Sequence, residues 1–507
     1  MVAVIGLAYA FPVLYLVGAA VGLGPDLWEK LASTAAAPLR NSITIAVAVA
    51  AACAVLGTTL AWLVTRTDLP GRRIWRVVLP LPLVIPSFVG ATALLAAFGR
   101  GGLVPFIPRI EGFWGAFLVL TLLSYPYVYL PVSARLSTTL PSLEEASRLL
   151  GHRPASTVLR VVLPQIRHTV AAGTLLVALY ALSDFGAVSL MRFDTATRVI
   201  FASRLFDRST SLTLGLVLAL LALGVAAAER LETRRWRPAT GVGTRQITYH
   251  LGRASTPALL MVAAVAATAL VAPLAVFVSW VIRGSATVGV GYEGLGDSLA
   301  FLLSPALGSA VAAVAAAIVA VAVTFPVAVA AARPRGRVPT IAALIVTSVF
   351  ALPGLVVALA VVFWAVQAPG PLAGLYQTFP LLVFAYVLHF GAQAMGATRS
   401  AALDVPRLYD DAGRTLGAGP RRRFLRIELP LLRPGVLTGA GLVMLSTLKE
   451  LPATLLLAPI GFETLATRIW GAAEDGFFAE VGITSLTLVL VSGVLTWALL
   501  LRRELRR

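Results

Sequence analysis

Stretches of about 20 apolar residues recur from one end of the chain to the other, each set off by a short polar segment rich in Arg, Gly or Pro. About 20 helical residues cross the hydrocarbon core of a bilayer. The pattern therefore predicts an all-α polytopic membrane protein with twelve spans. Six lie at residues 2–23, 42–64, 77–98, 113–133, 170–190 and 211–229. Six more lie at 257–282, 306–332, 339–366, 379–397, 435–458 and 481–501. Pro86 and Pro353 interrupt the third and ninth spans at matching places, where a residue without an amide hydrogen breaks a helix. The first span has no basic leading segment, and its AFPVLYLV around Pro12 resembles VAPLAVFV around Pro273. It reads as a retained span and not as a cleaved signal.

The polar segments carry their own pattern. Leu140 to Gly173 reads LPSLEEASRLLGHRPASTVLRVVLPQIRHTVAAG, and Leu403 to Gly439 reads LDVPRLYDDAGRTLGAGPRRRFLRIELPLLRPGVLTG. Glu145, Ala146, Arg148, Gly151, Arg160, Leu163-Pro164 and Arg167 match Asp411, Ala412, Arg414, Gly417, Arg426, Leu429-Pro430 and Arg433, always 266 positions apart. Arg66 and Arg333, and Pro86 and Pro353, extend the match at an offset of 267. Six spans in each half return the chain to the same side, so the halves are parallel repeats. The expected organisation is a first repeat at 1–240, a linker at 241–256 and a second repeat at 257–507. Around the linker, Arg230 to Arg253 holds six arginines with Pro238, Gly241 and Gly243 as breakers.

Composition narrows the class further. Hydrophobic residues make up 58% of the chain and charged ones 13%, far from the soluble average. The net charge of +18 would point to nucleic acid in a soluble protein. Here the excess of basic residues on the cytoplasmic side of membrane proteins explains it, and no nucleic-acid partner is expected. With both termini inside, thirty of the 41 basic residues fall on inner segments and ten on outer ones, Lys449 lying within a span. Both Arg-rich loops are thereby placed in the cytoplasm. The single cysteine, Cys53, excludes a disulfide or thiolate metal site and reads as packing. His152, His168 and His250 have no metal-ligand spacing, and Phe477, Phe478 and Trp470 suit the outer interface.

Within the first loop, Ser142 to Leu150 reads as a short helix with Ser142 as cap, Glu145 at its third position and Gly151 at its end. Pro406 to Leu416 reads alike, with Asp410 and Asp411 near its N-terminus, where negative charge is favoured. An acid followed by Ala, a Gly six residues after the acid and a Leu-Pro about thirteen residues later resemble the "EAA" loop of ATP-binding-cassette importer permeases. The resemblance implies a type I importer permease fold and a short coupling helix docked in a groove of each of two ATPase subunits. It assigns that docking to Glu144, Glu145, Ala146 and Gly151 in the first loop and to Asp410, Asp411, Ala412 and Gly417 in the second. Asp411 replaces the usual Glu and shortens one acidic arm, and Ser147 and Gly413 stand where a second Ala is usual.

The segment Leu448 to Trp470, LKELPATLLLAPIGFETLATRIW, is similar to the iron(III)-type permeases of that group, and LSDFGAVSLM with TATRVI occupies the equivalent place in the first half. The implied role is the permease of a binding-protein-dependent importer, with an extracytoplasmic binding protein delivering ferric iron, or else thiamine or another small solute. The implied location is a bacterial plasma membrane. Asp184, Lys449 and Glu450 are the ionisable groups set deepest in the spans, and such groups face a partner or a wet cavity. On a continuous helix Lys449 and Glu450 would point about 100° apart. Two roles stay open for the three: lining the pathway, or a structural bridge between Lys449 and Asp184. Tyr386, His389, Tyr125, Tyr127 and Tyr129 read as packing. The two lysines, Lys30 and Lys449, both lack a preceding glycine, so no GxxxxGK[ST] phosphate loop is present. The chain is expected to be no enzyme, to hold no cofactor and to rely on separate subunits for ATP hydrolysis. The rival class is a secondary transporter driven by an ion gradient through Asp184 and Glu450, which leaves the twin loops unexplained.

Overall fold

The structure, a computed structural model, describes residues 1–99, 101–139, 141–235, 247–286, 295–332, 336–406, 408–409 and 414–496. In chain order the helices of the first half are α1 (Val2–Leu23), α2 (Ala36–Arg66), α3 (Arg72–Val78), α4 (Ser87–Ala97), α5 (Gly112–Ser124) and α6 (Pro126–Leu136). There follow α7 (Pro141–Leu149), α8 (Leu163–Ser183), α9 (Gly186–Leu190), α10 (Ala196–Ser203) and α11 (Arg208–Arg235). The second half has α12 (Ser255–Ala266), α13 (Ala272–Ala286), α14 (Leu295–Ala332), α15 (Val338–Val349), α16 (Gly354–Gln367) and α17 (Phe379–Asp404). It closes with α18 (Leu429–Leu448), α19 (Pro452–Leu457), α20 (Leu465–Asp475) and α21 (Phe478–Thr496). Among the described residues there is no β-strand, and two isolated bridges join Thr67 to Tyr249 and Phe98 to Val104.

Among the described residues ten helical stretches are long and apolar enough to cross a membrane. Two bent pairs, Arg72–Val84 with Ser87–Ala97 at 91° and Val338–Val349 with Gly354–Gln367 at 102°, bring the number to twelve if each is one span. The bends fall at Pro86 and Pro353, the residues whose missing amide hydrogens predicted them. The chain is a polytopic all-α membrane protein. The fifth and eleventh spans depart from expectation. Instead of running through 170–190 and 435–458 they end at Ser183 and Leu448, and a short helix starts after each break.

The fold divides into two compact units, each assembled from separated segments. One comprises Ala32–Ala202 and Leu220–Ile282; the other comprises Met1–Leu31, Ser203–Ala219 and Arg283–Arg507. The first span thus belongs with the helices of the second half, and most of the seventh belongs with those of the first. Spatial grouping and sequence repeat are different partitions of this chain.

Each unit repeats the same contacts between residues 266 to 269 positions apart. In the first, α8 crosses α6 so closely that a Cβ on Gly173 would lie 3.1 Å from the Cα of Val128. In the other, a Cβ on Gly439 of α18 would lie 2.9 Å from the Cα of Ala394 on α17. Any side chain would push these helices apart, and small residues are what permit such approaches between membrane helices. The amide that opens α10, of Ala196, donates to the buried Ser42 hydroxyl at 2.8 Å. The amide that opens α20, of Leu465, donates to the buried Ser309 hydroxyl at the same distance. A helix start in apolar surroundings leaves amides without partners, and a serine on the long neighbouring helix supplies one.

Candidate functional site

The first polar loop is built on α7. Proline can open a helix because the first amides have no intrahelical partner, and Pro141 does so here. The helix ends at a glycine because the chain turns through φ +80° at Gly151, where a Cβ would be strained. The Gly151 amide then donates to the Arg148 carbonyl at 2.9 Å and the His152 amide to the Ser147 carbonyl at 3.2 Å, satisfying terminal acceptors. Pro141, Glu144 and Ser147, spaced by three, form the buried face. The Ser147 hydroxyl lies 3.0 Å from that of Thr157. Glu145, Ala146, Leu149 and Leu150 face outward, and so does Gly151.

Glu144 behaves differently from its neighbour. It is fully buried, forms an ion pair with the equally buried Arg66 at the end of α2, and accepts the Tyr249 hydroxyl at 2.8 Å. Arg66 also donates to the Leu136 carbonyl at 3.2 Å and the Thr139 hydroxyl at 3.0 Å. Glu144 is thereby set apart from Glu145: its carboxylate is held inside the loop, whereas Glu145 is the exposed acid. Two adjacent acids on a helix point in different directions, and burial separates their roles.

In the second loop Asp410, Asp411 and Ala412 lie outside the described residues. Gly417 is described and repeats the turn of Gly151, with φ +73° and its amide donating to the Arg414 carbonyl at 3.0 Å. Two apolar pairs that sequence reasoning had not singled out are exposed in both copies. Leu150 and Leu416, each just before the glycine, are 78% and 85% exposed, and Leu143 and Tyr409 are about half exposed. Each pair is 266 positions apart, which is the signal that would have found them. Behind each loop a single π-helical turn, Val158–Val162 and Phe424–Glu428, leads into the Leu-Pro that opens α8 and α18.

The intramembrane acids mark the broken spans. Asp184 follows the last residue of α8 and accepts the amides of Ala187 and Val188 at 3.0 and 3.2 Å, so it caps α9. Glu450 follows α18 and accepts the Ala453 amide at 3.1 Å, capping α19. Pro452 is the first residue of that helix. Lys449 is the terminal cap of α18 and Glu450 lies beyond it, so the two do not stand about 100° apart on one continuous helix. The physical reason is shared: a carboxylate within reach of free amides stabilises a new helix start. Each acid also meets the residue after the proline of its own bent pair. The Ser87 hydroxyl lies near the Asp184 carboxyl, and Glu450 Oε1 would be 3.0 Å from a Cβ on Gly354. His389 Nε2 converges on the same point at 3.2 Å, and Tyr386 shares a hydrogen bond of 2.6 Å with Thr454. Asp184 lies in one unit, Lys449 and Glu450 in the other.

Capping and charge can be separated by substitution. Asp184→Asn and Glu450→Gln keep an acceptor oxygen for the amides, whereas alanine removes it. Each alanine variant should lose about 1 kcal/mol more stability than its amide counterpart, read as earlier thermal unfolding in detergent. Equal unfolding of Ala and Asn variants at 184 would contradict the cap.

The description "binding-protein-dependent transport system inner membrane component" fits this chain twice, over residues 54–238 and 324–507. The chain is 30% identical to the Fe(3+)-transport system permease protein FbpB 2 of Haemophilus influenzae, over 97% of this chain and 96% of that one. It is 30% identical to the molybdenum transport system permease protein ModB of Mycobacterium tuberculosis, over 41% of this chain and 86% of that protein. To the sulfate transport system permease protein CysT of Synechococcus elongatus it is 31% identical, over 41% of this chain and 80% of that protein.

Proposed function

The chain belongs to the family of binding-protein-dependent transport system inner membrane components, and from that premise we propose that it is the fused, two-repeat permease of a ferric-iron importer. Its class is that of a transmembrane permease subunit of an ATP-driven importer. The iron reading is carried by one observation: the similarity to the Haemophilus influenzae Fe(3+) permease runs through both repeats, whereas the molybdenum and sulfate permeases match less than half of the chain. The Leu448–Trp470 segment, which holds the Glu450 break, supports it.

In this reading two ATPase subunits sit in the cytoplasm, one under each polar loop. Glu145, Ala146 and Gly151 dock the first, with Leu149 and Leu150 as its apolar contact. Asp410, Asp411, Ala412 and Gly417 dock the second, with Leu416 in the corresponding place. Glu144 holds α7 in position from within. Closure of the ATPase pair on ATP pulls both loops together and alternates access between the two repeats, which we place at 1–240 and 257–507 around the linker 241–256. An extracytoplasmic binding protein delivers the cargo, both termini are cytoplasmic, and ATP hydrolysis takes place in the partner subunits. Asp184 at the break of the fifth span, and Lys449 and Glu450 at the break of the eleventh, line the cation's route. An ionisable group at that depth without a functional partner is costly, and capping alone needs only a neutral acceptor.

The test is uptake into proteoliposomes holding the complete transporter. Ferric iron presented on the binding protein should enter when ATP is enclosed, and a protonophore should leave the rate unchanged. Glu450→Gln should insert normally and take up iron at least about tenfold more slowly, the loss expected when about 1.4 kcal/mol of favourable charge is removed from the route. Uptake of molybdate, sulfate or thiamine in place of iron would overturn the cargo. Full iron uptake by Glu450→Gln would remove that residue from the route.

A further inference from the structure

The end of the linker between the repeats is fastened to the first polar loop. The Tyr249 amide donates to the Arg66 carbonyl at 2.8 Å, and the Tyr249 carbonyl accepts the Asp68 amide at 3.3 Å, so linker and α2 terminus pair as neighbouring strands would. Asp68 returns the grip, accepting the Leu251 amide at 2.9 Å and lying 3.0 Å from His250 Nδ1. The Leu251 amide foremost, and His250 after it, hold the Asp68 carboxyl below the usual carboxylate range. The Tyr249 side chain is 8% exposed. Its ring lies 4.9 Å from that of Trp62 and 4.7 Å from the Arg148 guanidinium, while its hydroxyl donates to Glu144 Oε2 at 2.8 Å. Glu144 Oε1 is held by Arg66. Tyr249 thus touches α7 at two residues one helical turn apart, Glu144 and Arg148, and is tied by its backbone to α2.

We propose that Tyr249 is a positioning residue for the first coupling loop: the linker clamps α7 against the end of α2 and so sets the angle at which Glu145, Leu149 and Leu150 meet the ATPase subunit. This rests on the docking reading of that loop. A nine-residue helix is too short to hold itself in water, so its inward contacts decide where its outward face points. Among the described residues its inward polar contacts are the Ser147–Thr157 hydroxyl pair, the Arg66 ion pair and Tyr249. A π-helical turn stands between the loop and α8, and such turns interrupt the regular hydrogen-bond ladder. On the other side Tyr249 is six residues before Ser255, the start of α12. The clamp therefore links the loop to the entry of the seventh span within the same unit.

The experiment uses the complete transporter in nanodiscs and compares wild type, Tyr249→Ala and Tyr249→Phe. Two quantities are read: amide hydrogen exchange of residues 141–150 against 163–183, and ATP hydrolysed per cargo ion moved. Tyr249→Ala should speed exchange in α7 about tenfold while leaving α8 unchanged, since local opening is governed by local contacts. Tyr249→Phe keeps the ring between Trp62 and Arg148 but drops the bond to Glu144, and should give about a fivefold rise. ATP used per ion should climb in the same order. A merely structural role would instead lower abundance or raise exchange in both helices at a constant ATP ratio. Should Tyr249→Ala fail to accumulate, Tyr249→Phe carries the same readouts. Unchanged exchange in α7 overturns the clamp. Faster exchange with an unchanged ATP ratio supports the clamp and overturns the docking reading on which its consequence depends.

Discussion

Arg66→Ala should remove most of the chain from the membrane at 37 °C. Arg66 and Glu144 are both fully buried, and the guanidinium satisfies the Glu144 carboxylate, the Leu136 carbonyl and the Thr139 hydroxyl together. Removing it strands a carboxylate in a dry site with the Tyr249 hydroxyl as its remaining donor. Breaking a buried pair from one side costs about 3–5 kcal/mol, a large share of the roughly 5–15 kcal/mol that holds a typical domain together. Arg66→Lys should rescue little, because an ammonium cannot reach three acceptors arranged for a planar fork. Arg66→Met with Glu144→Leu should recover much of the lost abundance, since the stranded charge is gone. Fluorescence size-exclusion profiles of the solubilised variants check this, with abundance and unfolding temperature as readouts. Wild-type abundance of Arg66→Ala would show that the pair is dispensable.

Glu145→Lys with Asp411→Lys should leave abundance and insertion unchanged and reduce uptake by about a hundredfold or more. Glu145 is exposed and makes none of the buried contacts of its neighbour, so reversing it leaves α7 itself intact. In the proposed complex each acid faces basic groups of an ATPase subunit. Placing like charges together at an interface costs several kcal/mol per site, and two sites act on one assembly. ATP hydrolysis by the added ATPase subunits should continue at its uncoupled rate. Normal uptake in the double variant would sink the assignment of these acids.

Much of the architecture is legible in the sequence because the chain is duplicated. The offset of 266–267 locates both loops and both proline bends, and the turn glycines Gly151 and Gly417. Span number follows from apolar length alone. The breaks after Ser183 and Leu448 are harder to see. An isolated acid in an apolar run looks like a residue inside a span, and nothing local announces that its oxygens will collect the amides of a new helix. The division of labour between Glu144 and Glu145 is equally hidden, because it depends on Arg66, 78 positions away, and Tyr249, 105 positions away. Tyr249 itself sits at the end of a stretch whose glycines, proline and arginines read only as a linker. Leu150 and Leu416 are missed for another reason: nothing local in the sequence marks a leucine beside a turn glycine as exposed, and both point out.

As the permease of an ATP-driven importer, this chain is proposed to engage one ATPase subunit through each repeat. Affinity purification of the solubilised wild-type chain from its own cells, followed by native mass spectrometry, tests it most directly. One chain should be recovered bound to two copies of an ATPase subunit, and Glu145→Lys/Asp411→Lys should be recovered alone. A wild-type chain that purifies at full yield without any ATPase, and still moves its cargo on an ion gradient, would contradict it.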